Sequence, residues 1–479
     1  MPKIDIPEGW TVTRLGGLQY NVNNKILSQA DNIEGWKTKM LGELITLNTG
    51  KLDSNRAENN GSFPFFTCAP NPLKINSYAF NCDAILLAGN NANGIFHINR
   101  YNGKFNAYQR TYVITTANQN IDIDFLYYSL QLYLNYLKDI SQGSATKFLT
   151  VKILKDIKID IPIDIKEQKQ IAKILSSLDD KIELLREQNK TLEAIAQAIY
   201  KQWFVDFEFP IEDETSKLLS LKRGEPEGRG GFDNILQLKG YKSSGGKMVK
   251  SELGEIPEGW KVIKINELFD FIKGVEPGSA NYFKYKISDY YIPFYRVQNI
   301  SDNSNVPNVF IEKSLSNNKL FDKKDILVSL DGTIGKVFIG GQGSYSSGIR
   351  KVISKNNVIG QCLIYCFLKS DYFQNGLILF SSGETTIKHA GKTLENLQIV
   401  YKHDIFEQFT KNTNSIFEKM IINLQQIQTL SDLRDSLLPK LMSGKIRVPV
   451  KNEAETTLSD GARHSSLTEE GPKSENPQT

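Results

Sequence analysis

The stretch that decides the fold is residues 171–203, IAKILSSLDDKIELLREQNKTLEAIAQAIYKQW. Its apolar side chains recur at alternating intervals of four and three residues, which is the heptad spacing of a coiled-coil helix. Only Asn189 interrupts this apolar seam. A helix with such a stripe needs a second helix to cover it. The members of the seam are Ile171, Leu175, Leu178, Ile182, Leu185, Leu192, Ala196, Ile199 and Trp203.

A second stretch of the same kind, about residues 405–442, lies near the C-terminus. Three polar residues, Thr413, Asn423 and Arg434, occupy positions in its seam. It therefore predicts a second long helix with a less regular apolar stripe. The apolar members of this seam are Phe409, Ile416, Met420, Ile427, Leu430, Leu437 and Leu441.

The chain also contains a long internal repeat. The run IPEGW at Ile6–Trp10 returns at Ile256–Trp260, and later matches stay in the same order along both halves. Collinear matches with small insertions indicate two diverged copies of one unit. The alternative is two unrelated domains that share turn residues. The matches include Gly35, Trp36, Glu43, Leu44, Gly50, Gly143, Thr146, Glu167 and Gln168, with Gly259, Trp260, Glu267, Leu268, Gly274, Gly383, Thr386, Glu407 and Gln408.

Each copy consists of a globular block followed by a long helix. Short β-rich runs between Gly, Asn and Pro residues dominate the blocks, and one helical stretch precedes the end of each, residues 123–140 and 359–380. The predicted fold is α+β: two β-rich mixed α/β domains separated by two long antiparallel coiled-coil helices, a pseudo-two-fold internal repeat. The predicted boundaries are an N-terminal arm or partial repeat at 1–34, blocks at 35–164 and 259–402, helices at 165–210 and 403–447, a linker at 211–258 and a disordered tail at 448–479.

If the two helices pair antiparallel about their midpoints, Asn189 faces Asn423. A buried Asn pair in a coiled-coil seam fixes the register of the helices at some cost in stability. We therefore predict that these two residues set the helix-pair register. The alternative is that each asparagine faces solvent.

Composition limits the function classes. The net charge is +4 and the four cysteines are too few for a disulfide framework, so buried thiols are expected. We find no signal peptide and no apolar run long enough to span a membrane, so a cytoplasmic protein without membrane contact is expected.

The motifs of an adenine methyltransferase and of a phosphate loop are missing from the sequence. There is no Asn-Pro-Pro-aromatic run and no Phe-x-Gly-x-Gly, and Gly332–Lys336 lacks the spacer of a phosphate loop. No catalytic residue, metal site or cofactor is predicted in this chain.

Several motifs of the chain occur together and in a fixed order. They are Ile165–Gln168, Trp203–Pro210, Ser243–Val249, Ser251–Trp260 and Asp325–Ser329 with Gly332–Gly335. Together they resemble the specificity (S) subunits of type I restriction-modification enzymes over about residues 35–447. One departure is that Trp10 and the residues after it precede the start motif at Trp36, so the role of residues 1–34 is open.

The resemblance implies a non-catalytic subunit with two target recognition domains, each reading half of a split double-stranded DNA sequence. It implies that the helices dock two methyltransferase subunits that bind S-adenosylmethionine, and that restriction subunits using ATP and Mg²⁺ join the complex. Two alternatives stay open: a specificity subunit of a type IIB-like system, and a coiled-coil interaction scaffold that binds no DNA.

Base readout needs Arg, Lys, Asn or Gln side chains on groove-facing segments, while phosphate contacts need exposed cations. For each candidate the alternative is an ordinary solvated side chain. The candidates are Arg110, Lys147, Arg296, Gln298, Lys336, Arg350, Lys388 and His389.

Overall fold

The structure, a computed structural model, divides the chain into two compact units. Unit 1 comprises residues 1–182 and 429–479, and unit 2 comprises residues 183–428. Most of the predicted N-terminal arm and C-terminal tail lies outside the described residues. These are 33–91, 94–143, 146–211, 240–301, 307, 309–379, 388–389, 394 and 397–449.

Unit 1 is a β-rich block joined to parts of two long helices. Its largest sheet has six strands in the order β2-β8-β5-β7-β3-β4, and a smaller sheet pairs β1 with β10. The elements are β1 Trp36–Met40, α1 Leu41–Leu44, β2 Ile45–Thr49, β3 Phe63–Phe66, β4 Leu73–Ile75, β5 Phe80–Ala88, β6 Asn90–Asn91, β7 Ile98–Ala107, β8 Thr111–Thr116, α2 Ile123–Ile140, β9 Lys147–Phe148, α3 Val151–Lys155, β10 Lys158–Pro162 and α4 Ile165–Phe204.

Helix α2 covers the core of unit 1. Asp122 caps its first turn, because the Asp122 carboxylate accepts a hydrogen bond from the Phe125 backbone N–H at 2.9 Å. Phe125, Leu126, Leu130 and Leu137 are fully buried and share one apolar cluster with strand β5. The helical stretch predicted from the sequence therefore forms, and it closes one face of the sheet.

Unit 2 repeats this architecture with two sheets of four strands each, ordered β14-β22-β18-β20 and β16-β15-β21-β17. The elements are β11 Met248–Ser251, β12 Gly254–Pro257, β13 Lys261–Lys264, α5 Ile265–Leu268, β14 Phe269–Lys273, β15 Tyr291–Tyr295, α6 Val297–Ser301, β16 Phe310–Glu312, β17 Leu320–Phe321, β18 Ile326–Ser329, β19 Asp331–Gly332, β20 Val337–Phe338, β21 Gly343–Tyr345, β22 Ile349–Ser354, α7 Gln361–Lys369, α8 Asp371–Leu379, β23 Lys388–His389, β24 Gln398–Tyr401 and α9 His403–Met442.

The strand order shows that the two blocks are copies of one fold. In unit 1 strand β7 joins β5 to β3, whereas in unit 2 the short strands β20 and β21 occupy the corresponding places beside β18 and β15. Both copies contain one parallel pair, β3 with β7 and β15 with β21. The predicted α+β fold with an internal repeat is confirmed.

Two matched glycines have the same structural role in the two copies. A Cβ atom at Gly50 would lie 1.9 Å from the carbonyl oxygen of Ala107, and one at Gly274 would lie 2.2 Å from that of Tyr345. Backbone therefore passes so close to backbone at both positions that only glycine fits. The sequence match between these glycines reflects this shared crossing.

The long helices α4 and α9 pack together antiparallel in each unit. In unit 1, Arg434 Nη1 lies 2.6 Å from Asp179 Oδ1, and Arg447 contacts Glu167 further along the pair. In unit 2, Trp203 packs edge-on against Phe409 with ring centroids 5.6 Å apart. All nine predicted seam residues of the first helix are buried or half-buried. The heptad pattern therefore identified the buried stripe correctly.

Asn189 and Asn423 are brought together in unit 2. The Asn423 amide donates to Asn189 Oδ1 at 2.9 Å, and the Asn189 amide donates to the Met420 carbonyl at 3.1 Å. Asn423 is fully buried. The contact is the one that antiparallel pairing about the helix midpoints requires, and the solvent-facing alternative does not apply to Asn423.

The role of this pair in setting register is testable. Asn423→Leu is expected to cost about 1–3 kcal/mol, because the half-buried Asn189 side-chain oxygen loses the Asn423 amide that donates to it. Leucine at both positions is expected to restore or raise stability and to loosen the register. Urea denaturation followed by circular dichroism measures stability, and cysteine cross-linking across the helix pair measures register. A double variant as unstable as the single one, or one that keeps a single register, would contradict the prediction.

Three local features differ from the sequence predictions. The helix expected at 359–380 is two helices, α7 and α8, because Ser370 ends the first and its hydroxyl accepts a hydrogen bond from the Phe373 N–H at 3.3 Å. The end of the predicted linker holds the β11–β12 hairpin. Of the four thiols expected to be buried, Cys68 and Cys82 are only half-buried.

Candidate nucleic-acid interface

A short strand pair lies at one end of the large sheet of unit 1. Strand β6 follows the central strand β5 and pairs antiparallel with β9, so that Asn90 faces Phe148 and Asn91 faces Lys147. The Leu149 N–H donates to the Gly89 carbonyl at 2.8 Å and fixes the end of β9 against the end of β5. The candidate Lys147 is therefore held at the end of β5.

Unit 2 has the same strand pair in the same place. Strand β19 follows β18 and pairs antiparallel with β23, so that Asp331 faces His389 and Gly332 faces Lys388. The hydrogen bonds around the two pairs also correspond, because the Leu330 N–H donates to the Gly348 carbonyl at 2.9 Å and the Gly89 N–H to the Arg110 carbonyl at 2.8 Å. Candidates from both blocks thus occupy equivalent positions.

The segment after β3 brings Cys68, and the turn between β7 and β8 brings Arg110, to this edge of unit 1. The Cys68 thiol donates to Asn90 Oδ1 at 2.8 Å and lies 3.6 Å from the Arg110 carbonyl oxygen. The Arg110 side chain is exposed. A cation thus stands next to the β6–β9 pair, where a phosphate could approach it.

The corresponding edge of unit 2 carries Arg296 and Gln298 around Val297. A Cβ atom at Gly348 would lie 2.9 Å from Val297 Cγ2, and one at Gly332 would lie 3.9 Å from Val297 Cγ1. Gln298 is exposed, whereas the half-buried Arg296 guanidinium lies 5.6 Å from the centroid of the Tyr282 ring. The start of α6 is therefore packed against the β19–β23 pair.

The Arg350 side chain is half-buried and hydrogen-bonded to backbone carbonyl oxygens, so it is not a freely exposed cation. Its Nη1 donates to the carbonyl oxygens of Ser347 at 2.5 Å and Ile349 at 3.1 Å. Burial lowers the pKa of the guanidinium from its usual value, and the nearby Asp331 carboxylate opposes that change. Arg350 thus holds the backbone beside β19.

Lys336 lies between β19 and β20, outside the two short strand pairs. It follows the tight turn Gly332–Gly335, which joins the β18–β19 segment to β20, and its backbone N–H donates to Ser329 Oγ at 2.9 Å. Its side chain is exposed. The turn predicted in place of a phosphate loop is present, with positive φ at both glycines.

Asn90, Phe148 and Asp331 are not among the candidates predicted from the sequence. Gly89, Asn90 and Asn91 were interpreted only as turn residues after a β-rich run, and Lys147 was selected for its charge without its neighbour Phe148. The internal repeat was not a sufficient signal, because the match of Thr146 with Thr386 aligns Phe148 with Lys388, whereas the strand pairs place Phe148 at the position of His389.

Among the residues that the structure describes, no group of three or more His, Cys, Asp and Glu side chains is placed to hold a metal ion. Within the same residues, no helix combines the length and the hydrophobicity that crossing a membrane requires.

Comparison with known families identifies the class. Residues 33–194 and 257–401 match the family described as type I restriction modification DNA specificity domain. The chain belongs to this family, the specificity (S) subunits of type I restriction-modification enzymes, which confirms the resemblance drawn from its motifs. Its class is thus the non-catalytic specificity subunit, with DNA-binding target recognition domains.

Individual relatives agree with this assignment. The chain is 37% identical over 235 residues to the type I restriction enzyme EcoDI specificity subunit of Escherichia coli, a match covering 49% of this chain and 49% of that protein. It is 25% identical over 468 residues to the MjaVIII specificity subunit of Methanocaldococcus jannaschii, covering 94% and 95%. The crystal structure of a type I S subunit from M. genitalium has the same fold, with a TM-score of 0.52 at 16% identity, covering 87% of this chain and 98% of that one.

Proposed function

We propose that this chain reads a bipartite double-stranded DNA target, one half with each unit, and scaffolds the methyltransferase and restriction subunits of a type I complex. The observation that carries the proposal is the repeated strand pair, β6–β9 and β19–β23, at the same end of two equivalent sheets. Equivalent platforms with different side chains suit two half-sites of different sequence.

The residues around the two pairs have the chemistry that DNA binding needs. Arg110, Lys147 and Arg296 supply positive charge for phosphates, and Gln298 supplies an amide for base edges. We assign these residues and Lys336, Arg350, Lys388 and His389 to the DNA-facing side of the units.

The paired helices α4 and α9 are the proposed dock for two methyltransferase subunits. Their exposed faces carry charged side chains outside the buried seam, such as Lys181, Glu183 and Arg186. In this proposal S-adenosylmethionine binds to the methyltransferase subunits, while ATP and Mg²⁺ serve the restriction subunits. The chain itself contributes binding energy and geometry.

Mapping methylated adenines in the host genome with and without this gene tests the proposal. We expect one split motif that disappears when the gene is deleted. In vitro, the chain mixed with its methyltransferase subunit should bind duplex DNA with an affinity that falls steeply as salt rises. An unchanged methylation map, together with no DNA binding by the mixture, would refute it.

A further inference from the structure

The β6–β9 pair holds an aromatic ring at the surface on a rigid backbone. Phe148 is 40% exposed, yet its backbone exchanges two hydrogen bonds with Gln142, at 2.8 and 3.1 Å. The next residue, Leu149, is bonded to the end of β5. A ring carried in this way keeps its position, whereas one on a mobile loop would not.

Chemically different groups lie on and beside the strand pair that carries this ring. Asn90 faces it across the pair and is half-buried, with its side-chain oxygen bonded to the Cys68 thiol. Lys147 precedes it in β9 and faces Asn91. An apolar side chain, Ile95, is 52% exposed next to Gly94, where an added Cβ would lie 3.2 Å from Lys147 Cγ. Asn90 and Phe148 thus lie side by side on one face of the strand pair, and Lys147 lies beside Asn91 on the other face.

Unit 2 has the same strand pairing with different residues at the paired positions. Asp331 takes the position of Asn90, His389 that of Phe148, and Lys388 that of Lys147. The lysine is thus the same in both units, whereas the two facing residues differ. Phosphates are identical along DNA and bases are not, so the shared lysine suits phosphate contact and the differing pair suits base readout.

The side-chain chemistry fits this division. An asparagine amide pairs with the N6 and N7 edge of adenine, while a carboxylate accepts from the N4 amino group of cytosine. An apolar or aromatic group contacts the thymine methyl or stacks on a base. A lysine ammonium binds phosphate without regard to sequence.

We propose that Asn90 and Phe148 are specificity-determining residues that contact bases in the half-site of unit 1, and that Asp331 and His389 do so in the half-site of unit 2. Lys147 and Lys388 contact phosphates flanking these bases. The inference rests on the proposed function and adds to it which side chains carry the sequence information.

The test uses the full chain in complex with its methyltransferase subunit, S-adenosylmethionine and a duplex library with both half-sites randomised. Methylated molecules are sequenced to give the motif. Phe148→Ala and Asn90→Asp are each expected to relax or change at least one position of one half-site by about tenfold, and to leave the other half unchanged. Asp331→Asn is expected to change the other half-site only.

Lys147→Ala separates the two roles. It is expected to keep the motif while weakening binding at every sequence and reducing the slope of log affinity against log salt by about one. Ile163→Ala, which removes an apolar side chain that is 57% exposed elsewhere in unit 1, is the matched control and should alter neither motif nor affinity.

The outcomes distinguish a failure of the proposed function from a failure of this inference alone. A wild-type complex without a split motif would refute the proposed function itself. A wild-type split motif that Phe148→Ala, Asn90→Asp and Asp331→Asn all leave intact would overturn this inference alone. If Phe148→Ala does not assemble, the two nearly isosteric changes decide the question.

Discussion

Replacing Trp203 with alanine is expected to lower the free energy of unfolding by about 3–5 kcal/mol. The indole is fully buried at the end of α4 and packs against Phe409 of α9. Removing it leaves a cavity that the neighbouring rings fill only partly. Urea denaturation followed by circular dichroism measures the loss without relying on tryptophan fluorescence.

Trp203→Phe is the informative control. The indole Nε1 is buried and has no hydrogen-bond partner within the described part of the chain. Phenylalanine removes that unpaired donor and keeps most of the packing, so we expect it to cost less than about 2 kcal/mol. An equal loss in both variants would mean that the ring volume does not explain the stability.

The long helices were predictable because their seams repeat over many turns. A heptad pattern of this length has few alternative structures, and the order of blocks and helices then favours antiparallel pairing. The contact between Asn189 and Asn423 follows from the two midpoints alone. Sequence patterns succeed here because each residue's environment depends on spacing along one regular element.

The strand pairs β6–β9 and β19–β23 were not predictable in the same way. Each strand has two residues, which is too short for any alternation, and its partner lies far away in sequence. Lys147 and Lys388 were selected by charge and by the internal repeat. Phe148 and Asn90 needed the register, which shows that they face each other.

Arg447→Ala is expected to destabilise unit 1 by about 3 kcal/mol. Arg447 holds Glu167 with two hydrogen bonds, Nε to Oε1 at 2.8 Å and Nη2 to Oε2 at 3.0 Å, and Nη1 reaches the Glu34 carbonyl. The Glu167 side chain is only 6% exposed, with Trp36 Nε1 as a second donor. The variant therefore leaves a buried carboxylate without its cation.

The internal repeat supplies a matched control. Glu407 is the counterpart of Glu167, but its side chain is 42% exposed and its partner Lys411 is 68% exposed. Lys411→Ala is therefore expected to leave stability unchanged, because solvent screens an exposed pair. Adding Glu167→Gln to Arg447→Ala should recover part of the loss by removing the unpaired charge. Similar losses for Arg447→Ala and Lys411→Ala, or no recovery in the double variant, would show that burial of the Glu167 carboxylate is not the cause.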